Sequence, residues 1–182
     1  MAMHRQNLAE ATVKLKEAEA MLRKLEEGSM SHPDVFTNVT KIAYQEFVEA
    51  RVLLALVEGK SFPSPRELGV PTIPYVLGLA DAIGEFRRTA VEALKASKLR
   101  EAESCLQAME EIFQELVPLE EFYTLIPEIR RKMDIARRLI ESTLGEVSSE
   151  ARRSSLESAL RLLEERLLRR KRRETKARRD SG

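Results

Sequence analysis

Four acidic residues carry the spacing that could do chemistry: Glu46 and Glu49 in Gln45-Glu46-Phe47-Val48-Glu49-Ala50, and Asp81 and Glu85 within the stretch Gly78 to Arg88. On a helix, positions separated by three or four residues are neighbours on one face, so each segment presents a pair of carboxylates. If the two helices pack together, four acids meet beside apolar Phe47, Val48, Leu79, Ala80, Ile83 and Phe86. Like charges gathered in a partly apolar setting repel unless they take up protons or share a cation. An oxygen-rich site for a hard divalent metal resolves that conflict. A solvated helix face laced with Lys and Arg is the alternative, because most acids in so charged a composition behave that way. A di-iron bundle would also pair carboxylates on facing helices, but it wants Glu-x-x-His motifs. The histidines, His4 and His32, stand at no such spacing and read as surface residues.

The elements that must position these acids are helical. A first helix is expected over about 5–27, where Leu8, Ala11, Leu15, Ala18, Leu22 and Leu25 form a coiled-coil-like stripe ending at Gly28. A second begins near Ser31, with Pro33 in its first turn, and runs to Glu58 before Gly59; it carries the first acidic pair. Pro63, Pro65 and Pro71 make the next stretch a connection, with one helical turn started by Ser64-Pro65-Arg66-Glu67. A third helix from about Pro74 to Ser97 carries the second pair. Its Gly78 and Gly84 each cost about 1 kcal/mol relative to alanine, which suggests that a neighbouring backbone approaches closely there. A fourth helix spans roughly 99–116, an interruption falls at Pro118, and a fifth runs from Pro127 to about Leu144. The last is expected to start near Ser148 or Ser149, with Leu156, Ala159 or Leu160, Leu163 and Leu167 as an apolar seam.

Length and composition agree with this plan. At 182 residues the chain is one domain, or one domain with an appendage, and long enough for a core. With 5% aromatics, 7 glycines and no Trp, it favours an all-α fold over a sheet or a Rossmann arrangement. The single Cys105 excludes an internal disulfide framework and a thiolate metal site, and reads as a small buried residue. No apolar run reaches the length of a membrane span and no signal-peptide core is visible, which places the chain in the cytosol. Charge is unevenly shared. Between Arg166 and Arg179 there are nine basic residues and one acid, leaving 22 basic against 29 acidic groups elsewhere, a net of −7 for the remainder. The high share of charged residues, with Arg prevalent, leans weakly toward a thermophile.

The segment Gln45 to Ala50 and the stretch YVLGLADAIGEFRR from Tyr75 to Arg88 together resemble the two characteristic segments of the translin superfamily, and within it the translin-associated factor X branch. The resemblance runs from Ser31 to about Gly145. It implies an all-α, antiparallel bundle of six or seven helices that assembles into a closed homo-oligomer, an octamer being one candidate size, around an internal RNA-binding cavity. It further implies that Glu46, Glu49, Asp81 and Glu85 form a catalytic centre, since the non-catalytic translin branch keeps acids at fewer of these positions. The shorter N-terminus, the trimmed connection after Gly59 and the basic final helix depart from that pattern. The expected organisation is a translin-like helical domain over 1–147 and an amphipathic helix with a basic tail over 148–182.

The implied activity is metal-dependent endoribonuclease cleavage of single-stranded or partly unpaired RNA. Glu46, Glu49 and Asp81 would ligate Mg²⁺ or Mn²⁺, directly or through water, with Glu85 as a further ligand or the base that orients the attacking water. Arg88 lies seven residues beyond Asp81, about 20° round the helix from it. It could grip a phosphate, or merely pair with Glu85. Arg169, Arg170, Lys171, Arg172 and Arg173 could add sequence-independent phosphate contacts, or form a solvated helix end. The alternative function is a non-catalytic scaffold binding single-stranded RNA or DNA, as translin does; a structural bundle with no nucleic-acid role is the third.

Overall fold

The computed structural model describes the backbone of residues 2–31, 33–122 and 126–180, and the side chains of 8–28, 38–119, 121 and 126–169. Among the described residues there are six α-helices and one 3-10 segment, and no strand. They are α1 (Ala2–Ser31), α2 (Pro33–Glu58), α3 (Pro65–Leu68), α4 (Thr72–Lys95), α5 (Leu99–Leu116), the 3-10 segment Val117–Phe122, and α6 (Pro127–Asp180). The expected all-α bundle is the architecture found.

Helix α4 is the axis of the molecule, packing against α2, α5 and α6. Its sequence explains this: Val76, Leu77, Leu79, Ala80, Ala82, Ile83, Phe86, Ala90 and Ala93 are buried on more than one side, and the small residues let neighbours come near. Gly78 is the point of closest approach. A Cβ there would lie 2.7 Å from the Gln45 carbonyl oxygen and 2.9 Å from Val48 Cβ, so only glycine fits beside α2. Gly84, expected to serve the same purpose, does not: a Cβ would meet nothing within 4 Å. Its bare backbone faces a cavity rather than another helix.

Local signals fix the connections. Ser64 accepts from the Glu67 amide at 3.3 Å while the Glu67 carboxylate accepts from the Ser64 amide at 2.7 Å, so the anticipated turn is a capping box opening α3. Tyr75 donates its hydroxyl proton to the Pro63 carbonyl, and Phe62 lies 6.1 Å, ring to ring, from Phe86. This loop is strapped to α4. Between α4 and α5, the Lys98 amide bonds to the Ala93 carbonyl at 2.9 Å and the Ser97 amide to the Leu94 carbonyl at 3.0 Å. That is a Schellman turn with Ser97 in the left-handed position (φ 57°) more usual for glycine. Opposite it, α5 buries Cys105, Met109, Ile112 and Leu116. Burial pushes the Cys105 thiol up to about 11, as befits a packing residue rather than a reactive one.

Three expectations about the helices change. Helix α1 continues through Gly28 to Ser31; a lone glycine costs a helix about 1 kcal/mol, too little to stop one supported by packing. Its leucine stripe, which resembled an interface, packs on α2 of the same chain, with Leu22 buried and Leu15, Ala18 and Leu25 partly so. The helices expected over 127–144 and from 148 onward are one helix, α6, of 54 residues and about 80 Å. No proline interrupts it, Gly145 is unobstructed, and Ser142 donates its hydroxyl proton to Glu146 one turn on, at 3.4 Å, across the expected stop. The organisational boundary at 147/148 therefore falls inside a helix. Burial still changes nearby: Ile129, Met133, Ala136, Thr143 and Val147 are in the core, whereas every described residue from 155 to 169 is exposed. The side chains of Ser31, which could cap the second helix, and of His4 and His32 lie outside the described residues.

Candidate functional site

Because α2 and α4 touch at Gly78, the acids one to two turns away are brought onto a shared edge. Glu46 is exposed, while Glu49, Asp81 and Glu85 are half-buried. The Glu49 carboxyl is held above the usual carboxylate range, first by burial and then by repulsion from Glu85, Asp81 and Glu46. All four predicted acids thus share one electrostatic neighbourhood. A positive group opposes them: Lys132 of α6 places its ammonium on the Asp81 carboxylate, and its charge also lowers the proton affinity of Glu49.

The apolar and basic walls lie between α4 and α6. A cavity of about 390 Å³ there is lined by Ala80, Asp81, Gly84, Arg131, Lys132 and Leu139 among others. At its margin Lys41 of α2 bonds to Glu128 of α6 at 2.6 Å, so α6 is fastened to both acid-bearing helices within its first two turns. Further along, Arg87 donates to Glu146 at 2.8 Å, locking α4 to α6; the pair keeps the Glu146 carboxyl below the ordinary range.

A hard divalent cation fits this donor set in chemistry and in charge, since all the donors are carboxylate oxygens, and Lys132 at Asp81 and Arg88 at Glu85 leave Glu46 and Glu49 without an ion pair among the described residues. The geometry is not a finished ligand shell. Among the described residues no three acidic, histidine or cysteine side chains converge closely enough to hold a metal as they stand. Convergence requires rotation of the exposed carboxylates and release of Asp81 by Lys132.

The basic residues fare differently. Arg88 stands 3.7 Å from Glu85 and 3.6 Å from Glu92, with its side chain 71% exposed. The simple ion-pair reading of Arg88 is the observed one in the isolated chain. Arg169 is exposed and only loosely paired, 3.9 Å from Glu165. The side chains of Arg170, Lys171, Arg172 and Arg173 lie outside the described residues. Lys132 was not anticipated from sequence. Its signal was a lysine set among Ile129, Met133, Ile135 and Ala136, on a helix face that otherwise reads as apolar.

The fold and this edge define a class: an all-α bundle whose acids come from two packed central helices and whose rim is basic. Comparison with known proteins gives the family. The translin family profile matches residues 2–142, so the chain belongs to the translin family. An uncharacterized protein of Methanocaldococcus jannaschii is 36% identical over 135 residues, which are 74% of this chain and 60% of that protein. The chain thus spans well under two thirds of that curated relative. Among solved structures, AfC3PO is similar both alone and in its complex with duplex RNA, each with 30% identity, a TM-score of 0.71, and coverage of 82% of this chain and 78% of that one. Apo-NeC3PO shares the fold at 23% identity and a TM-score of 0.57, covering 82% of this chain and 94% of its own. No helix among the described residues is long and apolar enough to cross a membrane.

Proposed function

We infer that this chain is a metal-dependent endoribonuclease of the translin-associated factor X type, cleaving single-stranded or partly unpaired RNA by phosphodiester hydrolysis. The observation that carries this reading is the raised proton affinity of Glu49, to which Glu85, Asp81 and Glu46 all contribute. A half-buried Glu49 set beside three further carboxylates from two packed helices is hard to explain as part of a solvated surface. The similarity to AfC3PO, solved with duplex RNA, supports RNA as the partner. Single-stranded DNA is a second candidate ligand, and the working unit is a homo-oligomer in the cytoplasm, with an octamer as one candidate size.

In this mechanism Glu46, Glu49 and Asp81 would hold the cation, and Glu85 would either join them or orient the attacking water. Mg²⁺ or Mn²⁺, when bound, would supply activation of that water and neutralisation of the phosphate charge. Arg88, exposed at the surface, can leave Glu85 and Glu92 for a phosphate oxygen. The basic run from Arg166 to Arg179 attracts the RNA backbone to an otherwise acidic body, and the leucine seam of α6 joins copies of the chain.

One observation favours the second reading, a scaffold that binds nucleic acid without cutting it: Asp81 is already neutralised by Lys132. Cleavage of a single-stranded RNA in Mg²⁺, Mn²⁺ and Ca²⁺, by wild type and by Glu46→Ala, Glu49→Ala and Asp81→Ala, separates the two. The enzyme reading expects cleavage in Mg²⁺ or Mn²⁺, little in Ca²⁺, and a loss of about two orders of magnitude or more in each folded variant. RNA binding without cleavage in any metal establishes the scaffold.

A further inference from the structure

The wall of the cavity between α4 and α6 carries a side chain that the mechanism above leaves unused. Lys132 reaches 51 positions back along the sequence to place its ammonium on Asp81. The contact is neither buried away nor free in solvent, with side-chain exposures of 26% for Lys132 and 34% for Asp81. The helix beneath it is fixed by the bond from Lys41 to Glu128, one turn earlier, so Lys132 does not depend on Asp81 for its position. The side chain itself is a point charge on a flexible four-carbon stem, able to swing without moving α6. The adjoining cavity of about 390 Å³ gives it room.

An ammonium and a divalent cation cannot share one carboxylate without repelling each other. The two compete for Asp81, each weakening the hold of the other, and a cation drawing on four acids has the larger claim. The displaced ammonium remains tethered beside the acids. Glu128, one turn earlier and already bonded to Lys41, lines the same cavity, and a phosphate drawn to the same cation is the further negative charge the ammonium can meet.

We propose that Lys132 is an exchangeable counter-ion: it holds Asp81 while the site lacks a divalent cation, is displaced when one binds, and is then handed to the phosphate of the RNA. The proposal rests on the metal-site reading above and assigns a positioning and phosphate-gripping residue within it.

Manganese binding in the absence of RNA is the first test, read from the loss of the free Mn²⁺ resonance signal for wild type, Lys132→Met, Lys132→Arg and Glu49→Gln. Lys132→Met is expected to bind Mn²⁺ about tenfold more tightly, because an ammonium in contact with Asp81 no longer competes with the cation. Lys132→Arg keeps the competitor and is expected at or below wild-type affinity. Glu49→Gln is expected to bind more weakly. The second test measures binding of a phosphorothioate RNA single strand at saturating Mn²⁺ over a range of salt. Here Lys132→Met is expected to flatten the slope of log affinity against log salt by about 0.7, one phosphate contact on a single strand, a change that a merely structural lysine would not cause. If Glu49→Gln weakens Mn²⁺ while Lys132→Met does not tighten it, the exchange is overturned and the metal site stands. If wild type binds no Mn²⁺, both fall together. Tighter Mn²⁺ with an unchanged salt slope overturns the hand-over to phosphate. Lys132→Gln repeats both arms should the methionine variant fail to fold.

Discussion

The acidic edge of α2 and α4 and the projecting stretch of α6 are both dense in charge, yet they put their unfavourable free energy in different places. On the α2/α4 edge the apolar side chains are satisfied and the carboxylates are not: Val48, Leu77 and Ile83 are fully buried while Glu49 is repelled by three neighbours. On α6 beyond residue 154 the charges are at ease and the leucines are not. Leu156, Leu160, Leu163 and Leu167 are 54–62% exposed, while charges at spacings of three and four can pair along the helix. What each region lacks is therefore legible from what it leaves unsatisfied. On the proposed reading one takes a cation and the other an apolar partner, a second copy of the chain.

The largest effect is expected from the leucines. Replacing Leu160 and Leu163 by Glu removes two side chains worth about 1.5–3 kcal/mol each when buried, so self-association should weaken at least about 100-fold. Light scattering against concentration measures it, and an unchanged assembly mass would show that the seam joins nothing. Next is Gly78→Ala. A methyl group 2.7 Å from the Gln45 carbonyl oxygen must push α2 from α4. Overpacking of this kind costs about 1–3 kcal/mol, seen as a lower urea midpoint, and it should blunt any metal affinity by spreading the acids.

Gly145→Ala is the opposite control, in a helix with open space around it. It should raise stability by up to about 1 kcal/mol in the same urea titration; a loss would mean that assembly packs another surface there. The smallest effect is electrostatic. The Glu49 pKa is raised on folding, so the folded state binds more protons than the unfolded between the ordinary value of 4.5 and that raised value, and stability falls as pH rises through this window. Above it the penalty is fully present. Glu49→Gln should therefore raise the melting temperature by about 1–2 °C at neutral pH, with the gain fading toward pH 4.5. A gain that persists at pH 4 would place its origin in packing rather than charge.

Much of this was readable in the chain because the determinants were local. The Ser64/Glu67 capping box, the glycine after Glu58 and the limits of α5 each depend on a few adjacent residues. Gly78 was legible as a close approach because a glycine inside a helix needs a reason. Gly84 gave the same signal for a different cause, an open cavity, and no local rule separates the two. The continuity of α6 was hidden for a related reason: glycine and a serine pair at 145–149 look like a stop, yet nothing there blocks the backbone, and the core-docked turns on one side extend the helix into the other. The acids could be found by spacing within each helix. Lys132 could not, because its partner is 51 residues distant and only the tertiary packing of α6 on α4 joins them.

The solitary thiol of α5 turns the molecule into its own stopwatch. Cys105 is buried, and its proton is held up to about 11, so an alkylating reagent meets neither an accessible sulfur nor a thiolate while α5 lies on α4. With no other cysteine to label, each modified molecule records one opening of that helix pair. When reclosing outruns the reagent, the labelling rate divided by that of a free thiol is the equilibrium constant for the opening. The central seam of the bundle can thus be timed in the intact assembly, with RNA or metal present or absent, without altering a single residue.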